Sequence, residues 1–336
     1  AGHEVRLWRR DAAALQPVID AGTITLKDAR GTREVAIAQA SADLGATVKD
    51  ARLIVIPSPA TAQDDIARGL APHLADGQVV FLAPGTFGGY AMATLARAQG
   101  ARADVLWAET GTLPYLARKH GPREVNVTVR AVRLPTGVYP ARRAGEALAV
   151  IAEAYAAVQA CGDILSGALM NAGPIIHPPL IVMNAAPLQH FDTWDIHTEG
   201  TTPAVRAVID RLDLERIAVR EVLGYGEPHF PLADHYQNDR WMYGDAHTQL
   251  QKSGDWREHV DLLTHRYITE DTVLGLAFLA SVARWAGADA PIAHGLLAVV
   301  GGMLGHDLRR GPRTLESLGL ADLTHGELQQ VLHDGR

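Results

Sequence analysis

Over residues 1–145 the apolar positions fall in short continuous runs separated by amphipathic stretches. Val5-Arg6-Leu7-Trp8 reads as a strand at the very start of the chain, preceded by Ala1-Gly2-His3-Glu4, which has the look of a helix end and its turn. Leu53-Ile54-Val55-Ile56 and Val79-Val80-Phe81-Leu82-Ala83 are apolar at every position, and each run stops at a proline, Pro57 and Pro84. With a helical pattern at 63–74 between them, these runs predict parallel strands covered on both faces. A helix over 91–99 and a strand over 104–107 follow. The runs 23–26 and 35–38, separated by a polar turn at Gly31, predict a hairpin. The stretch 125–134 alternates and then breaks at Pro135, as a strand near the domain edge would.

After about residue 145 the pattern becomes helical almost throughout. Residues 144–160, rich in alanine with few charges, predict a long helix that is either buried or a dimer surface. Helical character stops by Asn171-Ala172-Gly173-Pro174. Thr202-Pro203 opens a helix running to Gly224, with Val205, Val208, Ile209 and Leu212 on one face. The segment 224–254 is polar and aromatic, with Tyr225, Tyr236, Trp241 and Tyr243, and reads either as cleft lining or as packing. Helices at 270–286, 292–304 and from 315 complete the chain. The expected architecture is α/β: a Rossmann-type parallel-sheet domain at 1–145 lacking its first strand, then an all-α domain at 146–336.

A chain of 336 residues with 47% apolar content can bury a full core. Its 31 basic and 38 acidic residues give a formal charge of -7, which argues against nucleic acid or an anionic membrane as partner and leaves small molecules. The single cysteine, Cys161, rules out an intrachain disulfide and reads as a packing residue. No uninterrupted apolar segment reaches the roughly 18 to 20 residues of a membrane span, and no leader pattern opens the chain, so a cytoplasmic location is expected.

Ligands of open parallel sheets bind beyond the carboxyl ends of the strands, which directs attention to the loops there. Pro57 and Ser58 follow one strand, and Pro84-Gly85-Thr86-Phe87-Gly88-Gly89 follows another. The second loop allows close backbone approach but is not a phosphate-binding fingerprint. A true glycine fingerprint would precede residue 1. In a dinucleotide fold an acid after the second strand takes the adenosine ribose, whereas arginine there accommodates a 2′-phosphate. Arg9 and Arg10 hold those positions, favouring NADP over NAD, although Asp11 could instead turn towards a ribose.

His177 lies in NAGPIIHPPL, between Ile176 and Pro178-Pro179. Since proline lacks an amide hydrogen, His177 is expected outside any helix interior, with Pro178 in the first turn of a following helix. In HRYITED, Thr269 is the expected N-cap of the helix at 270–286, and Asp271 falls in its first turn. Arg266 then lies outside that helix, and five residues from Asp271 it would not share a helical face. An arginine, a histidine and an aspartate together suit reduction of an α-keto acid or its imine: Arg266 to clamp a carboxylate, His177 to move a proton, Asp271 to hold the imidazole. His190 and His197 read as surface or cleft residues, His294 and His306 as core histidines, and no spacing suits a metal site.

Several segments carry a resemblance that spacing alone does not reveal. They are Ala108-Glu109-Thr110-Gly111-Thr112-Leu113-Pro114-Tyr115, the stretch from Asn171 ending in His177-Pro178, Glu199-Gly200-Thr201-Thr202-Pro203 with Asp213-Leu214-Glu215-Arg216, and Arg266-Tyr267-Ile268-Thr269-Glu270-Asp271. Over nearly its whole length the sequence resembles the opine dehydrogenase family, the octopine and nopaline dehydrogenases. The resemblance implies a Rossmann domain, an α-helical domain and an active site between them. There an amino acid is joined to an α-keto acid and the imine is reduced with NADH or NADPH to an N-(1-carboxyalkyl) amino acid. It matches His177 to the acid-base histidine and Arg266 and Asp271 to the family's arginine and aspartate. Glu109, with Pro57, Ser58, Pro84, Gly85, Thr86, Arg9 and Arg10, is then expected on the cofactor side. The chain departs from the family at its start, where the first strand and glycine-rich loop are absent. Ketopantoate and glycerol-3-phosphate reductases are the rival resemblance; they use a lysine, and Lys119 is the candidate in the first domain. An inactive cofactor-binding relative is a third reading.

Overall fold

The computed structural model describes residues 2–246 and 257–335. The chain opens with β1 (Arg6–Trp8), α1 (Ala12–Ala21), the hairpin β2 (Thr23–Asp28) and β3 (Gly31–Ala36), β4 (Gln39–Ser41) and α2 (Leu44–Val48). Next come β5 (Leu53–Ile56), α3 (Gln63–Leu70), β6 (Val79–Leu82), α4 (Gly88–Ala98) and β7 (Leu106–Thr110). After β8 (Tyr115–Lys119) and β9 (Glu124–Arg130) the chain returns through β10 (Leu134–Tyr139), α5 (Ala144–Ala154) and β11 (Val158–Asp163).

The strands β5, β6 and β7 are parallel, in the register Leu53↔Val79 and Val79↔Leu106. Their continuous apolar runs have the predicted cause, because alternate residues enter two different cores. Val80, Leu82 and Trp107 pack with Ala67, Leu70, Met92 and Ala96 of α3 and α4. Phe81, Leu106 and Ala108 pack on the other face with Ala147 and Ile151 of α5. The sheet is completed by β10, antiparallel to β7, and β11, parallel to β10.

A second sheet, ordered β3-β2-β9-β8, contains the expected hairpin. The stretch expected as one edge strand over 125–134 is therefore two elements. β9 belongs to this second sheet, while Pro135 lies inside β10, in the main sheet. There its carbonyl accepts from Thr110 Oγ1 at 2.9 Å and Gly111 N at 3.3 Å, and ladder pairing with β7 begins only at Thr136. β1 pairs in parallel with β4 alone, so the outer edges of β1 and β5 have no strand partner among the described residues.

The helix expected over 144–160 ends at Ala154, and β11 continues the sheet to Asp163. Cross-strand pairing of Leu134 with Val158 overrides the local alanine pattern. The expected divide at 145/146 thus falls inside a helix that packs on the sheet. Helices dominate from there: α6 (Ile164–Ala168), α7 (Gly173–Met183), α8 (Ala185–His190) and, after the short β12 (Trp194–Asp195), α9 (Pro203–Val222), which opens at Pro203 as expected and is capped by Thr202. Next are α10 (Leu232–Gln237) and β13 (Arg257–Glu258), which pairs with β12. A π-helical segment, Tyr267–Leu276, runs straight into α11 (Ala277–Ala286), followed by α12 (Pro291–Leu304) and α13 (His325–Asp334). The helix expected from 315 is a series of turns. The stretch Ile164–Met183 is apolar enough in composition to cross a membrane, but it is broken between Ala168 and Gly173 and is mostly buried inside the fold.

Candidate active site

His177 lies within α7, not outside a helix as its prolines predicted. Pro174 sits in the first turn, where no amide donor is needed. Pro178 and Pro179 remove two later donors, so the carbonyls of Pro174 and Ile175 lose their partners four residues on. Tertiary packing offsets that loss: Ile175, Pro178, Pro179, Leu180 and Ile181 are all buried.

The facing element is the π-helical segment Tyr267–Leu276, and the two backbones approach closely. A Cβ on Gly173 would stand 2.3 Å from Asp271 Oδ1, and one on Gly275 would stand 2.3 Å from Pro174 Cγ. Glycine at 173 is therefore what admits the Asp271 carboxylate. The π geometry also explains a pairing that spacing argued against. In an α-helix residues five apart diverge by about 140°, whereas a π turn closes on the fifth residue and returns it towards the same side. Arg266 and Asp271 accordingly line one cavity. Thr269 is not an N-cap, because the helix starts earlier and Thr269 is inside it, its Oγ1 donating to the His265 carbonyl at 3.4 Å.

His177 Nδ1 donates to Asp271 Oδ2 at 2.8 Å, which leaves Nε2 as the ring's other polar atom. The imidazole is stacked on Tyr267, with ring centroids 3.7 Å apart and planes 10° from parallel. The Tyr267 hydroxyl and His197 Nε2 share a hydrogen bond of 2.8 Å. Burial, reinforced by the positive groups around it, lowers the His197 pKa to about 3, so that ring is neutral. Arg266 makes a double contact with Glu270 Oε2, from Nε at 3.0 Å and Nη2 at 2.8 Å. Burial opposes the Arg266 charge, but Glu270 and Asp271 outweigh it and hold its pKa above the ordinary value.

These groups line a cavity of about 280 Å³ between the two halves of the chain. Pro84, Thr112, Leu116 and Arg118 come from the first half, and Asn171, His177, His197, Arg266 and Asp271 from the second. From the aromatic segment, Tyr236, Trp241 and Tyr243 line it, with Tyr243 bonded to Thr112 Oγ1 at 2.7 Å; residues 247–254 of that segment lie outside the described residues. No lysine lines the cavity among the described residues, and Lys119 is exposed on β8. No group of three or more metal-ligating side chains occurs among the described residues. Burial pushes the Cys161 thiol up to about 12, in keeping with packing rather than nucleophilic chemistry.

The expected cofactor residues divide into two groups. Glu109 is buried beneath the loop at 84–89, accepting from Phe87 N at 2.6 Å and Gly89 N at 2.8 Å, so it shapes the loop and does not face the cavity. Gly85 is required there, since a Cβ would meet Glu109 at 2.4 Å. Thr86 is likewise turned inward, its Oγ1 accepting from Asn171 Nδ2 at 2.8 Å. Pro84 does reach the cavity. At the other end of the strand tips, Arg9, Arg10 and Pro57 are exposed and Ser58 is half-buried. Arg10 has only a loose ion pair to Asp65 at 3.5 Å, and Asp11 is occupied as the cap of α1. Two solvent-facing guanidinia after β1 and an open cavity at Pro84 suit the phosphate and nicotinamide ends of a dinucleotide, respectively. Sequence reasoning missed Tyr267 and Glu270 as working side chains, and it left His197 unresolved between surface and cleft. Tyr267 and Glu270 stand inside the motif that carried the family resemblance, but His197 is 70 residues from Tyr267 and no local signal joins them.

Residues 160–304 match the family model described as NAD/NADP octopine/nopaline dehydrogenase, alpha-helical domain. An opine dehydrogenase of Arthrobacter sp. (strain 1C) is 29% identical, over 98% of this chain and 92% of that protein. A solved octopine dehydrogenase with NADH and L-arginine superposes with a TM-score of 0.66 at 18% identity, covering 96% of this chain and 93% of that one. The NADP+-bound yersinopine dehydrogenase gives 0.64 at 16% identity, over 98% and 92%. Fold and family together define an NAD(P)-dependent oxidoreductase of the class acting on CH–NH groups, with a Rossmann-type sheet domain and a helical domain. More narrowly, residues 160–304 carry the α-helical domain of the octopine and nopaline dehydrogenases, and the chain is similar to an opine dehydrogenase over nearly its whole length.

Proposed function

We propose that this chain condenses the amino group of an amino acid with an α-keto acid and reduces the resulting imine to an N-(1-carboxyalkyl) amino acid. The observation that carries the reading is the His177–Asp271 pair at 2.8 Å, set in one cavity with the Arg266 guanidinium. Arg266, already held on one edge by Glu270, offers its remaining N–H fork to the keto-acid carboxylate. That anchor fixes the carbonyl carbon near His177. His177 Nε2 handles the proton at the reacting oxygen as water leaves and at the nitrogen as the secondary amine forms, while Asp271 stabilises the charged ring. The nicotinamide cofactor supplies the hydride. Neutral His197 and the Tyr267 ring keep the imidazole face-on and exclude water from that side. Tyr236, Trp241 and Tyr243 form the wall against which the amino acid's side chain is selected.

The exposed Arg9 and Arg10 favour NADPH over NADH. The absence of a cavity lysine among the described residues disfavours the ketopantoate-reductase reading. The partners in this reading are small molecules in a cytoplasmic setting. The alanine-rich α5 packs on the sheet through Ala147 and Ile151, so that face does not serve a homodimer.

The test is an assay of the purified chain against amino acid and keto acid pairs with NADPH and with NADH. Oxidation is expected only when both substrates are present, and faster with NADPH. Oxidation with a keto acid alone would replace the proposal with a simple ketoacid reductase, and no oxidation with any pair would overturn it.

A further inference from the structure

Glu270 stands between two functions. Its side chain is only 8% exposed, and its two oxygens face different halves of the molecule. Oε2 receives Arg266 Nε and Nη2, at 3.0 and 2.8 Å. Oε1 receives the backbone amide of Ala60 at 2.7 Å, across 210 residues of sequence. Ala60 begins the short turn Ala60–Ala62, directly after Pro57-Ser58-Pro59 at the carboxyl end of β5. That turn has no side-chain cap of its own, so the Glu270 carboxylate fills the position from the other domain. A buried carboxylate that receives charge-assisted bonds on both oxygens is held rigidly, and moving either partner moves the other.

We propose that Glu270 is a positioning residue that couples cofactor binding to keto-acid binding. This inference rests on the proposed function, and it adds a route between its two sites. Strand-end loops are where a dinucleotide lies on such a sheet. A cofactor settled against the 57–62 loop fixes Ala60 N, which fixes Glu270 Oε1, and the same carboxylate sets the edge of Arg266 presented to the substrate. Each ligand therefore strengthens binding of the other. Linkage requires the factor to be equal in both directions.

The experiment measures the dissociation constant of NADPH by nicotinamide fluorescence, with and without saturating pyruvate, in the full chain and three variants. In the unaltered chain pyruvate is expected to tighten NADPH binding by about five-fold or more. Glu270→Gln is expected to bring that factor to within about two-fold of unity, because an amide cannot accept from both partners on two oxygens. Ala60→Pro removes the same contact from the opposite side. It is compatible with the first position of a turn, and with Pro59 already at φ -53 and ψ 149. The same loss of coupling is expected there, with Arg266 untouched. Asp271→Asn, which leaves the bonds of Glu270 to Ala60 and Arg266 in place, is expected to keep the coupling. Coupling that survives in both Glu270→Gln and Ala60→Pro, or that disappears equally in Asp271→Asn, overturns the inference while leaving the proposed function standing. A parent chain that binds NADPH and pyruvate without coupling overturns the inference alone, and one that binds NADPH but none of a panel of α-keto acids, pyruvate included, overturns both.

Discussion

His177 has one ring nitrogen committed to Asp271 at 2.8 Å and one face committed to Tyr267 at 3.7 Å, so its orientation is fixed before any substrate arrives. The carboxylate does two jobs, selecting the tautomer and stabilising the imidazolium that appears during proton transfer. Asp271→Asn keeps the shape but reverses a donor relationship: an amide presented by its nitrogen would turn the ring or its tautomer the wrong way. Turnover at saturating substrates is expected to fall by two to four orders of magnitude on the scale of such substitutions, with the apparent affinity for keto acid changed far less, because Arg266 keeps both its bonds to Glu270. A variant that turns over within about ten-fold of the parent chain would show that Asp271 does not serve the proton transfer.

At the scale of elements, the site depends on how closely α7 can approach the π-helical segment. Gly173 and Gly275 set that distance. Gly173→Ala would place a methyl 2.3 Å from Asp271 Oδ1, so the carboxylate or the helix must move. Overpacking of this kind costs roughly 1–3 kcal/mol, and urea denaturation should register it together with a fall in turnover as the Asp271–His177 bond lengthens. Unchanged stability and turnover would mean that the two helices are not held at contact. The same elements show which parts of the structure were legible beforehand. β6 could be read directly, because burial on both faces leaves an uninterrupted apolar run, and β5, buried on one face and half-buried on the other, keeps the same kind of run. β11 could not: its sequence, Val-Gln-Ala-Cys-Gly-Asp, is half-exposed and owes its conformation to β10. The α7 interior was hidden for the opposite reason, since local proline chemistry argues against a helix that tertiary packing supports. The π-helical segment has no distinguishing pattern in apolar periodicity, so the convergence of Arg266 with Asp271 came from family resemblance and not from spacing.

Across the whole molecule, the loop at 84–89 is clasped by side chains from four separate parts of the chain. Gln63 Nε2 donates to Gly85 O at 2.9 Å, Asn171 Nδ2 to Thr86 Oγ1 at 2.8 Å, and the buried Arg313 to Gln63 Oε1 at 2.9 Å and Thr86 O at 3.3 Å. Glu109 closes the clasp from the sheet, through two loop amides. Loop shape is thereby tied to both domains and to the chain's C-terminal region, which no local reading of the loop could reveal. It also makes the loop's support titratable. Burial pushes Glu109 up to about 7, against the pull of the two amides and Arg313. With an ordinary value of 4.5 in the unfolded chain, the folded state binds the extra proton between about pH 4.5 and 7. The stabilisation from this group is complete below that window and is lost as pH rises through about 7. The shift corresponds to a loss on the order of 3 kcal/mol. Glu109→Gln is neutral at every pH and cannot show this loss. The stability advantage of the parent chain over the variant should therefore shrink between pH 5 and pH 8 when unfolding is followed in urea. A difference that stays constant or widens over that range would mean that Glu109 is ionised throughout and that the two loop amides outweigh its burial.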